Sequence, residues 1–204
     1  MVAARPISRP ITIAVAGTHS TGKSTFLAKV AAQLRGQGLA VATVSDLGEA
    51  AQRAGLPILT EHTWASTLWI ITRGLSLEIE AWPQADVVLV DRPIPDALGY
   101  YRAALDYRHE PSDPARMTAL TALVRDYVGH YDLIYRTVLD RAVPLGDNKP
   151  RDTNREFRAL ADWHVADVLA DLDIPATPLT IDGHTRAVDR AIALVNSNQI
   201  ARTA

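Results

Sequence analysis

The sequence predicts an α/β fold with a five-stranded, mostly parallel sheet. Two observations carry this. Short apolar runs alternate with helix-period patterns along the chain. The first of those runs also opens directly into a glycine-rich loop of the form G-x-x-x-x-G-K-[ST]. At 204 residues the chain suits one domain with a full hydrophobic core.

The elements follow in order. Residues 11–16 are an apolar strand. Residues 22–35 are a helix, with Phe26, Leu27, Val30 and Leu34 on one face, stopped by Gly36 and Gly38. Residues 39–44 are a second strand ending at Ser45-Asp46, and 49–54 a short helix closed by Gly55 and Pro57. Residues 61–82 read as a long helix with Trp64, Leu68, Ile71 and Leu75 in register, ended by Trp82-Pro83. The β-branched run 85–90 suits a strand buried on both sides. Asp96 reads as the cap of a helix reaching about 105. A polar loop over 107–115 precedes a helix over 117–128. Residues 132–139 are a fourth strand, 157–172 a helical face, 178–181 a fifth strand and 185–196 a closing helix. There is no repeat, low-complexity tract or dividing linker, so 1–204 is read as a single domain with a flexible N-terminus over 1–10.

Composition narrows the function. The formal charge of −2 gives no global attraction to nucleic acid or anionic membrane, and no aromatic-and-basic stripe suggests nucleic-acid binding. With no cysteine, disulfides, thiolate metal sites and cysteine nucleophiles are excluded. The six histidines are scattered, so a protein-held zinc site is not expected. No run approaches the ~18–20 apolar residues of a membrane span, and the first apolar run is too short for a signal peptide. The expectation is a cytoplasmic protein. Its oligomeric state is left open, a homodimer included.

The loop Gly17-Thr18-His19-Ser20-Thr21-Gly22-Lys23-Ser24, followed by Thr25, is the Walker A pattern, with an apolar strand before it and an amphipathic helix after. Its glycines permit backbone shapes that turn successive N–H groups toward phosphate oxygens. The helix start aims free N–H groups and its dipole at the anion. Lys23 supplies a point charge between the outer phosphates, and Ser24 offers a hydroxyl to magnesium. Nucleoside triphosphate and Mg2+ are therefore the expected ligands. Thr25 packs locally or assists the phosphates, and His19 occupies a variable loop position.

Such a loop calls for a carboxylate near its magnesium, and Asp91, at the end of VVLV, is the candidate. It can hold a metal-bound water or accept a proton from an attacking hydroxyl. Arg92 can reach a phosphate or an anionic substrate, or make a structural ion pair. Tyr100 and Tyr101 are assigned to the core.

The loop GTHSTGKST and the strand-end segment VDRPIPDALGYY resemble the small P-loop AAA-type ATPase/kinase family that includes the nicotinamide ribonucleoside kinase domain of bacterial NAD regulators. The layout is also similar to nucleoside and nucleotide kinases. The resemblance covers about residues 11–195 and implies a P-loop NTPase three-layer sandwich with a short lid. It implies ATP and magnesium at residues 17–25, with Asp91 and Arg92 as the catalytic strand end. It also implies an acid after the second strand that meets the acceptor: Glu49, with Asp46 as competitor and Arg53 one turn later. A lid over about 140–155 would carry arginines, Arg151 and Arg155 in preference to Arg141, with Lys149 beside them. The helix over 61–82, with Trp64, Thr67 and Arg73, is expected to wall the acceptor pocket.

The expected function is ATP- and magnesium-dependent phosphoryl transfer to a hydroxyl of a small, nucleoside-like molecule. The alternative is a regulatory ATPase, or a nucleotide-binding protein without such an acceptor. A GTPase is disfavoured: N-K-x-D requires Asp three residues after Asn148, and Arg151 stands there.

Overall fold

Strand β1 (Ile11–Ala16) lies at the centre of a five-stranded sheet, every strand parallel to its neighbours. Around it are β2 (Val41–Val44), β3 (Val87–Asp91), β4 (Leu133–Thr137) and β5 (Thr177–Leu179), in the order β2-β3-β1-β4-β5. The computed structural model describes residues 8–139 and 154–203. Of the lid predicted over about 140–155, residues 140–153, with Arg141, Lys149 and Arg151, lie outside the described residues. So do residues 1–7 of the predicted flexible N-terminus. Arg9, within that segment, is held by both carboxylate oxygens of Asp132 at 2.8 and 2.9 Å and by the His130 carbonyl.

Helices cover both faces of the sheet, as a parallel sheet requires. Alternation along each strand supplies the two faces. Ile11, Ile13, Val15, Val87 and Leu89 pack under α1 (Lys23–Gly36) and α7 (His184–Thr203). Ala14, Ala16, Val88 and Val90 face the other layer, formed by α3 (Trp64–Ala81), α4 (Ile94–Tyr107), α5 (Pro114–Val128) and α6 (Arg155–Asp171). A short helix, α2 (Gly48–Arg53), follows β2. Among the described residues no helix is long and apolar enough to cross a membrane.

Two features of this layer position the site. Gly99 of α4 sits so close to α6 that a Cβ there would lie 2.8 Å from the Cα of Val165. Only glycine lets the two backbones approach this closely, which brings α6 over the phosphate loop. The register that pairs Val15 with Asp91 carries the end of β3 level with the residue two before Gly17.

The long helix expected over 61–82 is shorter than its periodicity suggested. Thr63 caps α3 by accepting the Ser66 N–H, so residues 59–61 form a separate 3-10 turn. Asp96, expected as a helix cap, lies inside the first turn of α4. The N-cap there is Pro93, with no side-chain cap, and the Asp96 carboxylate is used elsewhere.

Candidate active site

The site starts where β1 runs out. Gly17 has φ +128, and a Cβ on it would collide with the Thr137 hydroxyl. Gly22 has φ +85, and the chain enters α1 there with no side-chain cap. The first-turn N–H groups of α1 thus face the cleft without a side-chain acceptor, and the helix dipole points the same way. Thr21 braces the loop by donating to the Thr18 carbonyl at 2.9 Å and bonding the Thr137 hydroxyl at 2.7 Å. Buried Thr18 lies 3.3 Å from the Tyr100 hydroxyl, and both it and Tyr100 lie 3.5 Å from His19 Nδ1. Thr25 is exposed on α1.

Lys23 is buried and donates to the Thr18 carbonyl at 2.5 Å. Burial, followed by the neighbouring Arg92 charge, pushes its ammonium down to about 7. An anion arriving beside it reverses that effect and holds it charged. Ser24 Oγ donates to Asp91 Oδ2 at 2.5 Å. The second oxygen, Asp91 Oδ1, is buried and has no hydrogen-bond partner. A hydroxyl next to a carboxylate with a spare oxygen is a hard-oxygen pair suited to Mg2+, which keeps waters and phosphate oxygens as its other ligands. Among the described residues no group of three His, Cys, Asp or Glu forms a cage for a metal.

Arg92 is the hub of the strand end. Its backbone is in the left-handed region, φ +72, a costly shape that persists only when surroundings impose it. Those surroundings are specific. Nε donates to Asp46 Oδ2 at 2.7 Å, Nη1 donates to the Gly17 carbonyl at 3.2 Å, and the guanidinium lies 4.8 Å from the centre of the Tyr100 ring. Asp96 Oδ2 stands 3.9 Å from Nη1 and accepts the Gly17 N–H at 2.9 Å. Arg92 therefore ties the end of β2, the end of β3 and the phosphate loop together. Of its two sequence readings, the ion-pair one describes the geometry.

Charge placement differs between its two acids. Burial raises the Asp96 carboxyl to about 7, despite the opposing pull of Arg92 and Lys23. Burial also works against the Asp46 carboxylate, but Arg92, the Gly48 N–H bond and Lys23 outweigh it and hold that carboxyl below its ordinary value.

A residue that sequence reading missed completes the loop. Arg158 of α6, buried, donates Nε to the His19 carbonyl and Nη2 to the Ser20 carbonyl, each at 3.2 Å. Ser20 itself has φ +59. Arg155, expected to belong to a lid loop, is instead the first residue of α6 and exposed. It lies one turn before Arg158, and that spacing was the available signal.

A cleft of about 1190 Å³ runs from the phosphate loop past Asp46 and Arg92, between α2 and α3. Glu49 and Arg53 line it, paired with each other at 3.9 Å and largely exposed. Ile70, Gly74 and Glu78 line it from α3. Arg73, expected in this wall, is a correction: it is exposed and pairs with Glu80 at 3.8 Å. Ile71 is in the core, and two residues further on turns a helical side chain through roughly 200°. Trp64 packs against the core, and Thr67 bonds the Thr63 carbonyl.

Comparison with known proteins agrees with this geometry. A family model described as an AAA domain matches residues 12–186. The chain belongs to that AAA-domain family. No curated protein matches the sequence. Among solved structures, a NadR protein in complex with NR superposes with a TM-score of 0.62 at 16% identity, covering 90% of this chain and 50% of that one. A deoxyadenosine kinase from M. mycoides with bound dATP gives 0.59 at 13%, covering 90% and 99%. A thymidylate kinase from Ehrlichia chaffeensis gives 0.59 at 16%, covering 92% and 100%. The chain spans half the length of the NadR protein. This AAA-domain member thus has the fold of P-loop nucleoside and nucleotide kinases.

Proposed function

We propose that the protein transfers the terminal phosphoryl group of ATP to a hydroxyl of a small molecule. The observation that carries this is that Arg92 ties a loop shaped for phosphates to a carboxylate-bearing region of the same cleft, which is about 1190 Å³ in all. A plain hydrolase needs the loop and has no use for that region.

In this reading the N–H groups of α1 and Lys23 hold the phosphates. Ser24 and Asp91 Oδ1 would hold magnesium, which when bound neutralises charge on the phosphate oxygens. Arg158 fixes the carbonyls of His19 and Ser20, and so the shape of the loop. Asp46, kept ionised beside Arg92, receives the acceptor's hydroxyl. The reading is supported by the fold shared with a deoxyadenosine kinase and a thymidylate kinase.

The test is ADP release from ATP with magnesium, alone and with pooled nucleosides and small hydroxylated metabolites. Stimulation by one pool member, with its phosphorylated form detected by mass, is the expected result. ADP release that no added compound changes would favour the regulatory ATPase.

A further inference from the structure

We infer that His62 recognises the acceptor: its imidazole hydrogen-bonds an uncharged polar group of that molecule, a carbonyl, amide or hydroxyl other than the hydroxyl that takes the phosphoryl group. This rests on the kinase reading above and adds to it a residue that sets acceptor specificity.

The segment between α2 and α3 carries the inference. Ile58, Leu59 and His62 line the cleft from it. Its backbone is held fast. Arg108, just past the end of α4, donates to the Thr60 carbonyl, and to the His62 carbonyl at 3.3 and 3.4 Å. The His62 N–H donates to the Leu59 carbonyl at 3.0 Å. Leu59 is held at φ +60, a shape uncommon for a bulky residue, and such strain collects at ligand sites.

The His62 ring is the exception to this saturation. It is 2% exposed, yet neither Nδ1 nor Nε2 has a hydrogen-bond partner among the described residues. Burial, followed by the Arg108 charge, holds the imidazole down to about 4. It is therefore neutral at physiological pH, with a proton to donate on one nitrogen and a lone pair on the other. A histidine buried for structure alone ordinarily finds a partner for that proton. This one stands on a cleft wall. The torsion that turns its ring is soft, so a nitrogen can meet a molecule seated there.

Chemistry sets the class of partner. A full charge buried against one neutral donor, beside Ile58 and Leu59, would lose its hydration for little return, and Arg108 further opposes a cation. An uncharged carbonyl, amide or hydroxyl makes the bond without that loss. Position sets which group of the acceptor it is. Asp46, Arg92 and Asp96 act on one another and on Lys23, whereas the charge that acts on His62 is that of Arg108. His62 thus stands apart from the groups around the transferred phosphoryl and meets another part of the acceptor.

The test uses the full chain with ATP and magnesium, the pooled nucleosides and hydroxylated metabolites of the assay above, and the variants His62→Leu and His62→Gln. With the pool member that stimulates ADP release, His62→Leu should lower kcat/KM on the order of 10- to 100-fold, mainly through KM, with the KM for ATP unchanged. His62→Gln, which keeps a donor and an acceptor, should recover most of that loss. His62→Leu should also unfold at or above the parental temperature, because it removes a buried donor that has no partner in the unliganded protein. Analogues of the acceptor with one polar group at a time replaced by hydrogen identify the paired group: the parent should reject one of them by a similar factor and His62→Leu should not. A parental acceptor KM in His62→Leu overturns the inference and leaves the kinase reading standing. So does a loss that His62→Gln shares in full, which would mean that shape and not hydrogen bonding is at work. If His62→Leu does not fold, the ring-nitrogen resonances of His62 in the parent decide: they should move when the acceptor is added, and unmoved signals overturn the inference. ADP release that no pool member changes overturns the kinase reading and the inference with it.

Discussion

On the loop side of the cleft, most of the groups come from one contiguous stretch, Gly17 to Ser24, many of them backbone, with Asp91 and Arg158 joining them from β3 and α6. On the acceptor side they are side chains delivered by separate elements: Asp46 after β2, Arg92 after β3, Asp96 and Tyr100 from α4. The first side is largely a local property of the chain. The second exists only once the sheet register and the α4 packing are in place. Loss of a distant partner should weaken such a loop by degrees, whereas a site assembled from paired side chains fails when any one partner is removed.

Four substitutions probe that contrast, in descending order of expected effect. Asp91→Asn keeps the shape of the loop side and removes the carboxylate charge beside Ser24. Turnover should fall roughly 10²–10³-fold with little change in ATP affinity, and steady-state kinetics beside nucleotide titration would read the two separately. Equal losses in both would move Asp91 from the reaction to simple binding.

Glu78→Gln addresses the inner end of the acceptor side. Burial raises this carboxyl from 4.5 to about 7, while the hydroxyls of Tyr131 and Tyr127 partly hold it down. The folded protein therefore binds the proton more tightly than the unfolded chain does. Stability should fall as pH rises between 4.5 and about 7, because the folded state holds more protons throughout that window. The glutamine variant should match the parent near the lower limit and exceed it above the upper one, by as much as about 3 kcal/mol. Denaturant melts across that range would reveal the difference, and parallel curves would mean the carboxyl is not held neutral.

Arg158→Ala removes the two bonds that α6 makes to the loop carbonyls. Because these act on the position of the phosphates, kcat should drop by roughly 10- to 100-fold, with the fold intact by circular dichroism. A variant with parental kcat would assign Arg158 to packing alone. Asn154→Ala deletes the cap of α6, whose side chain accepts the Phe157 N–H at 2.9 Å. It should cost about 1 kcal/mol of stability and leave the pattern of substrates unchanged, since it lies on neither side of the cleft. A larger loss of activity than of stability would bring the start of α6 into the site.

The same contrast explains what was legible in the sequence. The shape of the loop was readable, because glycines at 17 and 22 mark the two positive-φ turns that lead from β1 into α1. The five strands and their helices were readable from apolar alternation. Asp96 was misread because an acidic residue near a helix start usually caps it. Here the cap position is Pro93, and the carboxylate instead reaches Gly17, 79 residues away. Arg158 was missed because its partners lie 138 and 139 residues earlier, and its approach depends on Gly99 admitting α6. Arg73 failed for a different reason. The apolar stripe of α3 was read correctly, but the cleft is lined by the neighbouring row Ile70, Gly74 and Glu78, and Arg73 lies on the solvent side of both.

The Tyr131 hydroxyl, which donates a hydrogen bond to Glu78 Oε1 at 3.0 Å, accepts one from the N–H of Ile94 at 3.3 Å. Ile94 is the first residue of α4, a position whose amide has no partner within its own helix. Amides at such positions ordinarily trade hydrogen with solvent quickly. This one is locked by a side chain that begins just ahead of β4, on the far side of β1. In deuterium it should persist beside the core amides, which makes Ile94 a natural probe of whether the turn holding Asp91 and Arg92 opens separately or only when the whole domain unfolds.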